Sequence, residues 1–111
     1  MINSASISGI RHGIAKQDVS ANNIANIFSK EFERSRAISK ESVNGVETLI
    51  QKEDLLPVSI LDDNNEIQNL SNVDITEETI NSMSALTTIK ANSKALQTSD
   101  EMLGMIIDFL A

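Results

Sequence analysis

Residues 74–111 read DITEETINSMSALTTIKANSKALQTSDEMLGMIIDFLA, and this stretch decides the fold. Ile75, Ser82, Ile89, Leu96, Leu103 and Leu110 recur every seven residues, with Leu86, Ser93 and Ile107 at interleaved positions. A seven-residue repeat keeps one stripe of a helix facing a partner helix along a slowly supercoiling path. Asp74 followed by Glu77 has the spacing of a capping box, and Glu77 with Glu78 suits the positive end of a helix dipole. Nothing breaks the pattern before Gly104, so one helix reaching Ala111 is predicted, roughly 55 Å long.

The other end carries a second helical stripe. Ile7, Ile10, Ile14, Gln17, Ala21, Ile24 and Phe28 step by alternating threes and fours. Ser4 or Ser6 can cap this helix, which should end near Asn26 or Phe28 after roughly 35 Å. Gly9 and Gly13 sit inside it, each costing up to about 1 kcal/mol against Ala. They are read first as fraying of the opening turns, and second as a groove admitting another backbone. The predicted fold is mainly α, with two long terminal helices in an antiparallel coiled-coil-like pair. Its divisions are residues 1–28, a connecting segment 29–70, and 71–111.

The helical stripe is lost between Ser29 and Leu70. Val43-Asn44-Gly45-Val46 is a turn signal, after which Val46, Thr48 and Ile50 alternate as in a half-buried strand. Leu55 to Leu61 is a second apolar run, confined by Pro57 to an edge or extended segment. Asp62-Asp63-Asn64-Asn65 is a second turn. A short β-hairpin or an irregular extended segment is expected here.

Composition excludes several function classes. The net charge of −7 argues against direct nucleic-acid binding, which rests on Lys and Arg neutralising phosphates. Phe28, Phe32 and Phe109 are the only aromatic residues, too few for a base-stacking surface. Without cysteine there are no disulfides, thiolate ligands or thiol nucleophiles. No apolar run approaches the roughly 20 residues that cross a bilayer, so membrane insertion is not expected. Met1 to Gly13 does not read as a cleavable signal peptide. Residues 1–30 hold three bases and one acid, whereas 71–111 hold six acids and two bases. The two helices can therefore attract each other, within or between molecules, or both charges simply face solvent.

Ser20-Ala21-Asn22-Asn23-Ile24-Ala25-Asn26 is odd for a helix, because Asn amides compete for backbone groups. Three close together suggest a helix end, or amides bonding across to neighbouring helices. This segment resembles the Asn-rich N-terminal motif of the bacterial flagellar axial proteins, the rod and hook subunits. Ser71-Asn72-Val73-Asp74-Ile75 with Glu77-Glu78 resembles the opening of that family's C-terminal helix. Ala91-Asn92, Lys94, Gln97-Thr98 and Asp100 to Gly104 look like its continuation. The resemblance covers roughly residues 4–32 and 71–111, in the family's order. Three departures stand out: Glu31 occupies a position where the family usually has Gly, Leu86, Thr87 and Ile89 replace a common Gln-Arg pair and aromatic, and the middle is short.

The resemblance implies a minimal, proximal-rod-like structural subunit of the flagellar basal body. Such proteins are exported unfolded through the type III apparatus without signal cleavage, then polymerise into a helical tube. Implied partners are other rod and hook-family subunits, further copies of itself and the export apparatus, with no cofactor. Expected interface residues are Ile7, Ile10, Ile14, Ala21, Ile24, Phe28, Ile75, Leu86, Ile89, Leu96, Leu103, Ile107 and Leu110. Asn22, Asn23 and Asn26 would act as polar registers between helices. An acidic export chaperone or adaptor, and a regulator mimicking a rod subunit, are the rival readings.

Catalytic and metal readings find no support in the sequence. His12 is the only histidine, with no carboxylate before Asp18, and a packed or solvated ring is the plainer account. Asp62, Asn64 and Glu66 echo the start of a calcium loop, but the glycine is missing and its twelfth position is Val73. Met83, Met102 and Met105 read as interface or core filling.

Overall fold

The computed structural model describes residues 2–29, 31–53, 59–61, 63–64, 67–69 and 71–110. In chain order the elements are α1 (Ile2–Ala25), β1 (Ser35–Ser42), β2 (Gly45–Lys52), β3 (Ser59–Leu61), β4 (Ile67–Asn69) and α2 (Ile75–Leu110). The fold is mainly helical, with the two helices packed antiparallel. Its dimensions are 79 × 23 × 13 Å.

The 36 residues of α2 make a rod of about 54 Å. Asp74 supplies its half of the expected capping box: its Oδ1 accepts from the Thr76 N–H at 2.9 Å and, more weakly, the Glu77 N–H at 3.5 Å, while the Glu77 carboxylate accepts from Arg34 instead. No helix among the described residues is long and apolar enough to cross a membrane.

α1 begins at Ile2, so Ser4 and Ser6 lie inside the helix rather than capping it. Gly9 and Gly13 do not mark fraying either. They are buried in a regular helix at its closest approach to α2. A Cβ on Gly13 would stand 2.6 Å from Ile89 Cγ1 and 3.1 Å from the Ala85 carbonyl oxygen. The helix pair gains that proximity only because nothing projects there. α1 ends at Ala25, and a turn through Ser29 follows. Asn26 secures this end by donating from Nδ2 to the Asn22 carbonyl at 2.9 Å, while Ser29 Oγ donates to Asn26 Oδ1 at 3.1 Å.

Glu31, at the position where Gly was expected, has φ 59°. That left-handed conformation crowds the Cβ of any L-residue other than glycine against its own carbonyl, at about 1–2 kcal/mol. The glycine preference therefore has a backbone cause, and this chain carries the strain.

β1 and β2 form an antiparallel hairpin from Ser35↔Lys52 to Ser42↔Gly45 around Val43 and Asn44. Gly45 has φ +132°, and a Cβ there would run into Ser8 Oγ. The Val46 N–H donates to Ser8 Oγ at 3.1 Å, and His12 Nδ1 lies 3.0 Å from Thr48 Oγ1. β2 thus rests on α1 by the face carrying Val46 and Thr48, although Ile50 on that face stays exposed. The β1 strand was not legible beforehand, because SRAISKES shows no clear alternation.

A second antiparallel pair joins β3 to β4. The described residues of the middle thus contain the expected β-hairpin and, beyond it, a second short antiparallel pair. Leu55 to Val58 of the predicted apolar run lie outside the described residues, as do Asp62, Asn65 and Glu66. Asp63 and Asn64 sit in a turn between the two strands.

Apolar burial is slight: Val19 and Ala85 are the buried hydrophobic residues among those described. Ser6, Ser20, Asn23, Arg34, Ser71 and Glu78 are buried with them.

Candidate assembly surface

Polar side chains hold the junction where α1 ends, the hairpin begins and α2 starts. Asn23 is fully buried on the last turns of α1. Its Oδ1 accepts from the Ser35 N–H at 3.0 Å, and its Nδ2 donates to the Ser35 carbonyl at 2.8 Å. The same Nδ2 donates to Glu78 Oε1 at 3.0 Å, so one amide ties α1 to β1 and α2 together. Glu78 is itself 2 % exposed, and its Oε2 has no hydrogen-bond partner among the described residues.

Beside this amide, buried Arg34 pairs through Nε with Glu53 and through Nη1 with Glu77 Oε2 at 2.7 Å. Burial works against the guanidinium charge, but the hydrogen bonds it donates to Glu77 and Glu53, with their negative charge, outweigh it and raise the Arg34 pKa above its usual value. Asn72 completes the junction: Oδ1 accepts from the Arg34 N–H at 2.7 Å, and Nδ2 donates to the Glu53 carbonyl at 3.2 Å. A network with nearly every member paired fixes one geometry, which a core this small could not do by packing alone.

Along the helix pair, α1 presents its small and polar side. Ser6, Gly9, Gly13 and Ser20 are buried; Gly9 abuts Asn92, and Ser82 Oγ donates to Gln17 Oε1 at 2.9 Å. The seam between the helices is therefore not the isoleucine stripe. At about 100° per residue, that stripe lies roughly one position round the helix. Ile7, Ile14 and Ile24 are exposed, as is Ala21, while Ile10 is half-buried. Phe28 is 94 % exposed on the turn after α1.

On α2, Ile89 and Leu96 are half-buried beside α1, whereas Ile75 and Leu86 are exposed. Leu103, Ile107 and Leu110 are exposed too, at 50, 65 and 78 %. Met102, Met105, Ile106 and Phe109 share this bare end of α2. Of the three amides expected to set register, Asn23 crosses between helices, whereas Asn22 and Asn26 bond to each other at the end of α1.

A cleft of about 370 Å³ opens between α1, β1 and α2, bordered by His12, Lys16, Arg36 and Asn81. The His12 pKa is lowered, by burial first and by nearby Lys16 second. Lys16 donates to Ser84 Oγ at 3.2 Å. Among the described residues no group of three His, Cys, Asp or Glu side chains is placed to hold a metal ion.

Sequence patterning ranked the groove at Gly9 and Gly13 second to fraying, did not extend it to Ser6 and Ser20, and missed the Arg34–Glu53–Glu77 cluster. The seam had a signal, since Ser6, Gly9, Gly13 and Ser20 recur at helical spacing. The cluster had none, because its members come from three separate segments.

No curated protein matches the chain. Residues 67–109, which span β4, the capping segment and nearly all of α2, match the model of the flagellar basal body rod FlgEFG protein C-terminal region. Over this C-terminal module the chain is similar to the flagellar rod and hook proteins, and the match supports a member of that family.

Proposed function

We propose that the chain is a structural subunit of the bacterial basal-body rod, exported through the type III apparatus without a cleaved signal and built into a helical tube through its terminal helices. One observation carries this: both helices keep an apolar face bare after the fold is complete. Ile7, Ile14, Ile24 and Phe28 on one side, and Leu103, Ile107 and Leu110 on the other, stay exposed. Each such side chain gains about 1.5–3 kcal/mol when fully buried. Contiguous exposed apolar surface of this kind marks an interaction site. Neighbouring rod subunits would cover those stripes, with further copies of the chain among them.

Fractionation tests the proposal. Basal bodies purified from the native host should contain the chain in fixed proportion to other rod proteins. A chain found only in the cytoplasm, as a discrete well-folded dimer, would favour the chaperone or adaptor and refute the rod subunit.

A further inference from the structure

We infer that the bare tip of α2 is covered by α1 of a second copy, through that helix's outward isoleucine stripe. The inference rests on the rod-subunit proposal and names the contact it uses. Its basis is the register of the helix pair. Gly9 meets Asn92, Gly13 meets Ile89, Gln17 meets Ser82 and Asn23 meets Glu78. Each step up α1 is a step down α2, which sets Ile2 opposite about residue 99. Asp100 to Leu110 therefore project about 16 Å past the end of α1.

The projecting tip continues the seam itself. Ser82, Ile89 and Leu96 lie on the α1-facing side of α2, and the same seven-residue spacing places Leu103 and Leu110 on that side. Ser99 is half-buried at the edge of the covered zone, and Ile106 follows it one heptad later, exposed. A helix-binding face thus extends beyond the helix that binds it.

The same chain carries a matching surface. On α1, Ile7, Ile10 and Ile14 form a stripe about 100° from the side that grips its own α2. One α1 can therefore hold two α2 helices at once. Charge favours the match: Asp100, Glu101 and Asp108 make the tip acidic, with no base from 100 to 110. Arg11 stands exposed between Ile10 and Ile14 and belongs to none of the ion pairs formed by Arg34 and Arg36. Tip and stripe are different surfaces, so the contact is head-to-tail and leaves each new copy with a free tip.

Cysteine cross-linking tests this directly, because the chain has no native cysteine. Ile14→Cys and Leu103→Cys, both at exposed positions, are mixed as full-length chains under mild oxidation; Ile7→Cys and outer-face Lys90→Cys serve as second probe and control. A disulfide needs Cα atoms within about 7 Å, so the 14–103 heterodimer should exceed either homodimer by at least about five-fold, with none from Lys90→Cys. Dominant 103–103 dimers would show tip-to-tip pairing and overturn the inference. So would a chain that stays monomeric at every concentration. In purified basal bodies, recovery of a doubly substituted chain without the 14–103 link would overturn this pairing and leave the rod subunit standing. The link in solution with no basal-body recovery would refute the rod subunit and keep the self-contact.

Discussion

Asn23→Ala is the sharpest test of how this chain holds its shape. The substitution removes three hydrogen bonds, to the Ser35 N–H, the Ser35 carbonyl and Glu78 Oε1. A buried polar group left without its partner costs about 1–3 kcal/mol. Ser35 is half-buried and regains some water, whereas Glu78 is 2 % exposed and already holds one unpartnered oxygen. The expected loss is about 3–4 kcal/mol, a large share of the roughly 5–15 kcal/mol that keeps a domain folded. Asn23→Asp should be worse, because it discards the Nδ2 donor and sets a second carboxylate beside Glu78. Urea titration followed by far-UV circular dichroism reads the change, in a fixed background of trimethylamine oxide that raises a low baseline. In a double-mutant cycle with Glu78→Ala, the coupling should be about 1.5–3 kcal/mol, as for a hydrogen bond to a charged group. A loss below about 1 kcal/mol, or a coupling near zero, would refute the claim that this amide ties the three segments together.

Gly13→Ala should destabilise by about 1–3 kcal/mol despite its better helix propensity, because its Cβ meets Ile89 and the Ala85 carbonyl; Gly104→Ala, with open space around it, should stabilise by up to about 1 kcal/mol. Urea midpoints of the two variants should move in opposite directions. Glu31→Gly should gain up to about 1 kcal/mol, the relief of the left-handed backbone less the extra entropy of glycine in the unfolded chain, and an unchanged or lower midpoint would count against it. For His12, burial holds the folded pKa below the ordinary histidine value of about 6.5, so the unfolded chain binds the proton more readily. That contribution is fully present above the unfolded pKa and is lost as pH falls through and below it. The midpoint should therefore drop between about pH 7.5 and pH 5.5, and His12→Gln should flatten the drop. Leu103→Asp should leave the monomer's stability within about 0.5 kcal/mol yet abolish assembly, as read by basal-body recovery; normal rods in that variant would refute a role for the α2 tip.

How much could be read beforehand depended on how local the signal was. The long helix from Ile75 to Leu110, the Asp74 cap and the Val43–Val46 turn are local patterns, and each appears in the structure at its expected place, whereas only Ser82, Ile89 and Leu96 of the heptad lie half-buried. The isoleucine stripe of α1 was equally plain, but it does not face α2. Amphipathicity says which side of a helix avoids water, not which neighbour covers it. Here the close approach of two backbones selected Gly9, Gly13 and Ser20, and left the isoleucines outside.

By itself the amino-acid order determined that there are two terminal helices, where the longer one starts, and that more apolar stripe exists than one hairpin of helices can cover. These follow from periodicity and capping, which act within a few turns. Only the tertiary structure decided which face of α1 meets α2, that Asn23, Arg34, Asn72 and Glu78 converge on one junction, and that the last eleven residues of α2 outrun their partner. Those outcomes depend on side chains far apart in sequence satisfying one another's hydrogen bonds and on the register of one helix against another, and no local pattern encodes either.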